Sequence, residues 1–255
     1  MTTTAPSPTS PTPSRTRRKR WPYIVGVAVL LVALIAGAIW YFVFRDDSPA
    51  PVDIDTATES ADEEAGAAPS SLDGTWTVDQ SIGSFDDFTG AFAGYRVQEE
   101  LVGIGAKTAV GRTPDVTGTL KIDGAEINAT DITVDMTTLT SDEDRRDGAL
   151  SGQAIQTATY PTATFVLTEP IELDEIPEDG VPITADATGD LTLHGVTNRV
   201  TIPIQGQLDG NVITVTGSTE IVFADYDIAQ PTSGAVLSVE DHGIFELQLF
   251  FTKSR

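Results

Sequence analysis

The sequence predicts an all-β domain, an antiparallel barrel of about eight strands with one or two short helices, preceded by a single transmembrane helix. Three observations carry this. Apolar and polar residues alternate through much of residues 73–255, turn dipeptides punctuate the alternation, and one long uncharged run stands near the N-terminus. Alternation marks strands with one face turned inward, and closing the sheet removes its exposed edges. A two-sheet sandwich fits the same period and stays open on patterning alone.

Residues 1–20 form a Pro-, Ser- and Thr-rich tail ending in Arg15, Arg17, Arg18, Lys19 and Arg20, and are expected to be disordered. Residues 21–44 are the expected anchor. Residues 23–44 form a run of 22 without a charged side chain. Such a helix is about 33 Å long, against a hydrocarbon core of about 30 Å. Trp21, Tyr23, Trp40 and Tyr41 suit interfacial positions, and the basic cluster sets the tail on the cytoplasmic side. Everything after Phe44 is then expected outside the cytoplasm of a bacterial cell, held at its plasma membrane. A signal peptide cleaved at Ala36-Gly37-Ala38 is the rival reading. It is disfavoured because cleavage would leave residues 39–44 as a bare apolar terminus.

Residues 45–72 read as an extended acidic linker, with Asp62-Glu63-Glu64 and nothing to build a core. Residues 1–44 hold five basic and no acidic residues, so all 38 acidic residues and the other ten basic ones lie beyond Phe44. That balance argues against nucleic acid as a partner, because phosphate contacts need clustered Lys and Arg. It also argues against the domain lying flat on an anionic leaflet.

Residues 73–255 are the expected barrel. Ile132, Val134 and Met136 alternate with polar residues, as do Leu191 and Leu193, then Val200, Ile202 and Ile204, and finally Phe245, Leu247, Leu249 and Phe251. Asp123-Gly124, His194-Gly195 and Asp209-Gly210-Asn211 are the expected hairpin turns. Two stretches look helical. One is residues 99–104; the other is residues 141–146, with Ser141 as its expected cap.

Catalytic constellations are missing. The chain has no cysteine, which removes a thiol nucleophile, disulfides and an acylated-cysteine anchor. Of its two histidines, His194 sits at a strand-to-turn junction and His242 follows Glu240-Asp241, so both read as structural or surface groups. Asp142, Glu143, Asp144 and Asp147 have Arg145 and Arg146 among them and read as a solvated helix face, without a calcium loop's ligand rhythm. No phosphate-loop or redox-cofactor motif appears. The expectation is a binding protein and not an enzyme, with no cofactor and no metal. Phe85, Phe88, Phe92, Tyr95, Phe165, Phe223, Tyr226, Phe245 and Phe251 give it an inward aromatic surface. An eight-stranded barrel either packs such residues or holds one small ligand.

Several segments carry a resemblance. Trp76-Thr77-Val78-Asp79, Val116-Thr117-Gly118-Thr119-Leu120 and Arg146-Asp147-Gly148-Ala149-Leu150 occur in order, followed by Tyr160-Pro161-Thr162-Ala163-Thr164-Phe165 and residues 189–197. Together they resemble the YceI-like family of lipocalin-like, polyisoprenoid-binding barrels. Gly94-Tyr95-Arg96-Val97 and Thr108-Ala109-Val110-Gly111-Arg112 resemble an acidic, membrane-anchored branch. The glycine-rich insertion over residues 81–112 is placed to cover a barrel mouth. The resemblance implies an isoprenoid lipid, a polyprenyl carrier or a quinone, lying in the barrel, with the chain as binder or carrier. A packed barrel that recruits envelope proteins through its acidic face is the alternative. The cavity residues chosen from inward alternation are Tyr95, Val97, Leu101, Ile104, Phe165, Leu167, Leu191, Leu193, Phe223, Tyr226, Phe245 and Leu247. A register error of one residue would turn any strand's choices outward.

Overall fold

The computed structural model describes residues 21–45, 48–173, 176–231, 234 and 236–254. The expected tail, residues 1–20, lies outside these. The chain divides into two units, residues 1–45 and 46–255. In the first, α1 (Trp21–Phe44) is one continuous α-helix over the expected anchor. Over the described residues no helix is long and apolar enough to cross a membrane, and the side chains of Trp21, Tyr23 and residues 42–44 are not among those described.

The second unit begins with α2 (Ile54–Glu64), which corrects the expected linker. Ile54, Ala57, Thr58 and Ala61 recur at helical spacing on one face and are buried. Asp53 caps the helix, accepting a hydrogen bond from the Thr56 amide at 3.2 Å. The acidic residues occupy the opposite face. A short amphipathic stripe, not self-repulsion, decides the conformation here.

Thirteen strands follow. They are β1 (Gly74–Val78), β2 (Phe92–Leu101), β3 (Gly105–Thr113), β4 (Val116–Asp123), β5 (Glu126–Asp135), β6 (Thr140–Ser141) and β7 (Thr162–Leu167). Then come β8 (Ile171–Glu172), β9 (Ile183–Leu193), β10 (Val196–Asp209), β11 (Val212–Val222), β12 (Val236–Val239) and β13 (His242–Lys253). Eight of them, in the order β1-β4-β5-β7-β9-β10-β11-β13, close into an antiparallel ring through pairing of β13 with β1. The barrel expectation therefore holds and the sandwich does not. All three expected hairpin turns connect paired strands.

β13 serves two neighbours. Its C-terminal half pairs with β1, from Phe251 to Lys253, while Ile244 to Gln248 pair with β2. The long β2–β3 hairpin thus prolongs the wall at one end of the ring. Residues 99–104, expected as a helix, are the end of β2 and its turn. The second expected helix exists as α3 (Asp144–Ala149), continued by a π-turn over Leu150–Ala154. Ser141 is not its cap but part of β6, and its amide and hydroxyl both donate to the Asp147 carboxylate, at 2.9 and 2.6 Å.

Residues 79–91 and α2 lie on the outside of the ring. Phe250, Val212, Ala61, Ile82 and Ala91 form a second small core there. The Gln248 side chain donates to the carbonyl of Gly90 at 2.9 Å, fixing the loop to β13. Phe85, Phe88 and Phe92 stack edge to face in this layer, with centroids 5.5 and 6.1 Å apart, so they are not part of the barrel lumen. Beside them Glu246 accepts from Arg96 at 2.8 Å and from Arg112 at 2.7 and 2.9 Å, all three groups being largely buried. Arg112 also lies over the rings of Phe92 and Phe88, at 4.2 and 4.6 Å. The same guanidiniums bind the carbonyls of Pro49 and Ala50 and hold the segment before α2 on the wall. The insertion expected at the mouth is therefore divided: its first part covers the outer wall, and the hairpin builds the rim.

Candidate functional site

The lumen holds two apolar chambers of about 100 and 110 Å³, each partly open to solvent. The first lies between the β2–β3 hairpin, α3 with its π-turn, and residues 221–245; Val97, Ile155 and Phe223 are among its walls. The second is walled almost wholly by aliphatic side chains of β4, β5, β7, β9, β10 and β11, such as Ile122, Ile132, Ile204 and Val215. A third void of about 30 Å³ shares Ala93, Val134 and Phe245 with the first chamber, and Phe165, Ile202 and Leu247 with the second.

Strand alternation places the walls. On β13, Phe245, Leu247, Leu249 and Phe251 face inward; on β9, Ala185, Ala187, Leu191 and Leu193 do. Two glycines make room for the aromatic members. A Cβ at Gly111, which pairs with Tyr95 across β2 and β3, would lie 2.3 Å from the Tyr95 ring. One at Gly189 would lie 2.5 Å from the Phe165 ring. Both rings therefore lie down against backbone instead of blocking the lumen.

Of the twelve residues chosen from sequence, Tyr95, Val97, Leu193, Phe223 and Phe245 line the first chamber. Leu167, Phe165 and Leu247 line the second. Leu191 stands at the void between them, with Phe165, Phe245 and Leu247. Leu101, Ile104 and Tyr226 line none of these three. The first two belong to the end of the hairpin, where the sheet has run past the ring. Tyr226 lies in a 3-10 turn, Phe223–Tyr226, that ends the alternation of β11, and its side chain is buried outside the chambers.

Sequence reasoning missed the polar corner of the first chamber. Glu99 and Arg146 both line it. The Arg146 guanidinium donates to Glu99 at 2.6 Å, to Asp142 at 2.5 Å and to the Ser141 hydroxyl at 3.2 Å. Burial acts against the charge of Arg146, but its bonds to Glu99 and Asp142 outweigh that and hold its pKa above the ordinary value. Its Nε and the Tyr95 hydroxyl are buried without a hydrogen-bond partner among the described residues. Burial, reinforced by Asp147, Glu99 and Asp142, raises the Tyr95 pKa, so the phenol keeps its proton. The available signal for Arg146 was its place in Arg146-Asp147-Gly148-Ala149-Leu150, one of the segments that carry the family resemblance.

The chamber walls include no histidine. His194 takes a left-handed turn conformation, φ 52°; its Nδ1 lies 3.0 Å from the Tyr226 carbonyl and its ring stacks on Tyr160 at 4.3 Å. His242 is partly exposed on the surface, where Asp241, and then Glu220 and Glu240, raise its pKa. Among the described residues no group of three or more His, Asp and Glu is placed to hold a metal ion.

With this geometry in hand, the likeness to known proteins falls into place. Residues 75–251 match the YceI-like domain. A UPF0312 protein of Vibrio parahaemolyticus is 34% identical over 122 residues, covering 44% of this chain and 59% of that one. Protein YceI of Escherichia coli O6:H1 is 33% identical over 115 residues, covering 44% of this chain and 54% of that one. The chain thus spans a little over half the length of these relatives. A solved polyisoprenoid binding domain from Saccharophagus degradans, implicated in plant cell wall breakdown, shares the fold with TM-score 0.53. It is 17% identical, covering 71% of this chain and 98% of that one.

Proposed function

We propose, from the premise that the chain belongs to the YceI-like family, that its barrel binds an isoprenoid lipid of the polyprenyl or quinone type. The observation that carries the reading is the pair of apolar chambers inside the barrel. The name of the Saccharophagus neighbour supports the ligand class. Burying a chain of 20 carbons from water is worth roughly 16 kcal/mol gross, at about 0.8 kcal/mol per CH₂. Association and ordering subtract much of that. A lipid leaving a membrane starts already dry, so transfer into the barrel is close to balanced. Near balance suits a carrier or buffer and not a trap.

In the same reading α1 anchors the protein in the plasma membrane, with the barrel on the extracytoplasmic side. The support lies in the sequence: the uncharged run of residues 23–44 would be about 33 Å long as a helix, against a hydrocarbon core of about 30 Å. The basic residues before it favour a cytoplasmic N-terminus. Organic extracts of the full-length protein, purified from membranes and analysed by mass spectrometry, test the ligand. An isoprenoid in stoichiometric amount is expected. An empty extract, together with no uptake when isoprenoids are titrated in, overturns the reading.

A further inference from the structure

Outside the lumen, one carboxyl group is buried with an oxygen left over. Asp209, at the end of β10, is 5% exposed; Gln207 donates to its Oδ1 at 2.8 Å, and its Oδ2 has no hydrogen-bond partner among the described residues. Native proteins leave few buried polar atoms in that state. Asp209 stands at the seam between the barrel and α2, which packs on β10 and β11. The turn after it abuts the end of that helix. Asn211 accepts from the Gly66 amide, and the Gly66 carbonyl leaves no room for a Cβ at Gly210. The charges at this seam are negative. Asp62 acts on Asp209 from α2, and Asp179 from the loop before β9, where it accepts from the Gly210 amide at 2.8 Å. Gln207 and Asn211 are neutral. The base on β13, which pairs with β11 here, is Lys253, and it donates to the Ser71 carbonyl at 2.7 Å.

Helix α2 is poorly able to bear a further negative charge. Its 11 residues are too few for an independent helix, so docking sustains it. Its last turn has no base, and Asp62, Glu63 and Glu64 lie there, at the negative end of the helix dipole. An ionised Asp209 adds to that charge, whereas a protonated one does not. We propose that Asp209 is a proton-operated latch on α2: neutral, it lets the helix dock, and ionised, it releases the helix from the wall. Burial, then Asp62 and Asp179, raise its pKa against the bond from Gln207, so the docked state favours the proton. Docking is therefore complete below the ordinary carboxyl pKa and weakens as pH rises through the elevated docked-state value. Release turns residues 51–66 from wall cover into free chain between α1 and the barrel. The latch does not depend on what the lumen binds.

Amide hydrogen exchange of the full-length protein tests this, corrected for the pH dependence of intrinsic exchange and read for α2 against β13. Protection over residues 58–64 is expected to fall severalfold between about pH 4 and about pH 8 while β13 keeps its own. In Asp209→Asn, which cannot ionise, α2 should stay protected across the whole range. Asp62→Asn removes a facing charge but leaves Asp209 able to titrate, and should make the fall smaller. A fall of the same size in Asp209→Asn overturns the proposal. So does native α2 protection that is equal at the two pH values. A fall that β13 shares in full is global unfolding and overturns it as well.

Discussion

On β13 the residues that point away from the lumen, Glu246, Gln248 and Phe250, are 1%, 4% and 0% exposed, while of the inward-pointing ones Leu249 and Phe251 are buried and Phe245 and Leu247 are half-buried. An alternating strand with one face in solvent would bury the inward set alone. The outside of this wall is covered by α2, the residue 79–91 loop and the Arg96–Glu246–Arg112 cluster, and the inside carries the main apolar core with the chambers set into it. Cohesion comes from both layers together. The outer layer is polar at its centre and the inner one apolar, and the comparison can be tested on either face.

The largest effect should come from the outer face. Glu246→Gln leaves two confined guanidiniums without a counter-charge and should lower stability by about 3–5 kcal/mol in denaturant melts. A loss below about 1 kcal/mol would mean the cluster is decoration. On the inner face, Ala187→Phe fills part of the second chamber. It should weaken binding of a C20 hydrocarbon tenfold or more, about 1.4 kcal/mol, with the melting temperature nearly unchanged. Destabilisation of roughly 1–3 kcal/mol would instead mark a packed interior. Asp53→Ala removes the cap of α2 and should cost about 1 kcal/mol, read as faster amide exchange over Ile54–Glu64.

The smallest effect concerns Asp209, whose carboxyl is driven up in pKa by burial and by the neighbouring Asp62 and Asp179 charges, against a bond from Gln207. Because the folded state resists its ionisation, the stability associated with this group is complete below its ordinary pKa. It declines as pH rises through the elevated folded value. Asp209→Asn should therefore melt slightly higher than the native protein at pH 7. The difference should vanish below about pH 4.

How far the sequence could be read depended on whether neighbours kept a regular period. Leu167, Leu191, Leu193, Phe245 and Leu247 were legible because β7, β9 and β13 alternate without interruption. Leu101 and Ile104 were not, because alternation continues along the hairpin after the ring has ended. Tyr226 was lost to a 3-10 turn. Helix α2 was missed through composition: its buried stripe is Ile54, Ala57, Thr58 and Ala61, three of them small, amid a run of carboxylates. Their spacing of three and four, and the Asp53 cap, were the available signal. Arg146 was read as a surface ion pair. That is right for its bond to Asp142, yet its side chain is 15% exposed and also serves the lumen.

The small void that borders both chambers, lined in part by Phe165, Leu191, Phe245 and Leu247, stands where a guest occupying both would have to lie. A slender chain with many rotatable bonds would thread such a place one segment at a time, whereas a rigid fused-ring body would have to pass all at once. Molecular stiffness would then sort guests before any chemical group is recognised.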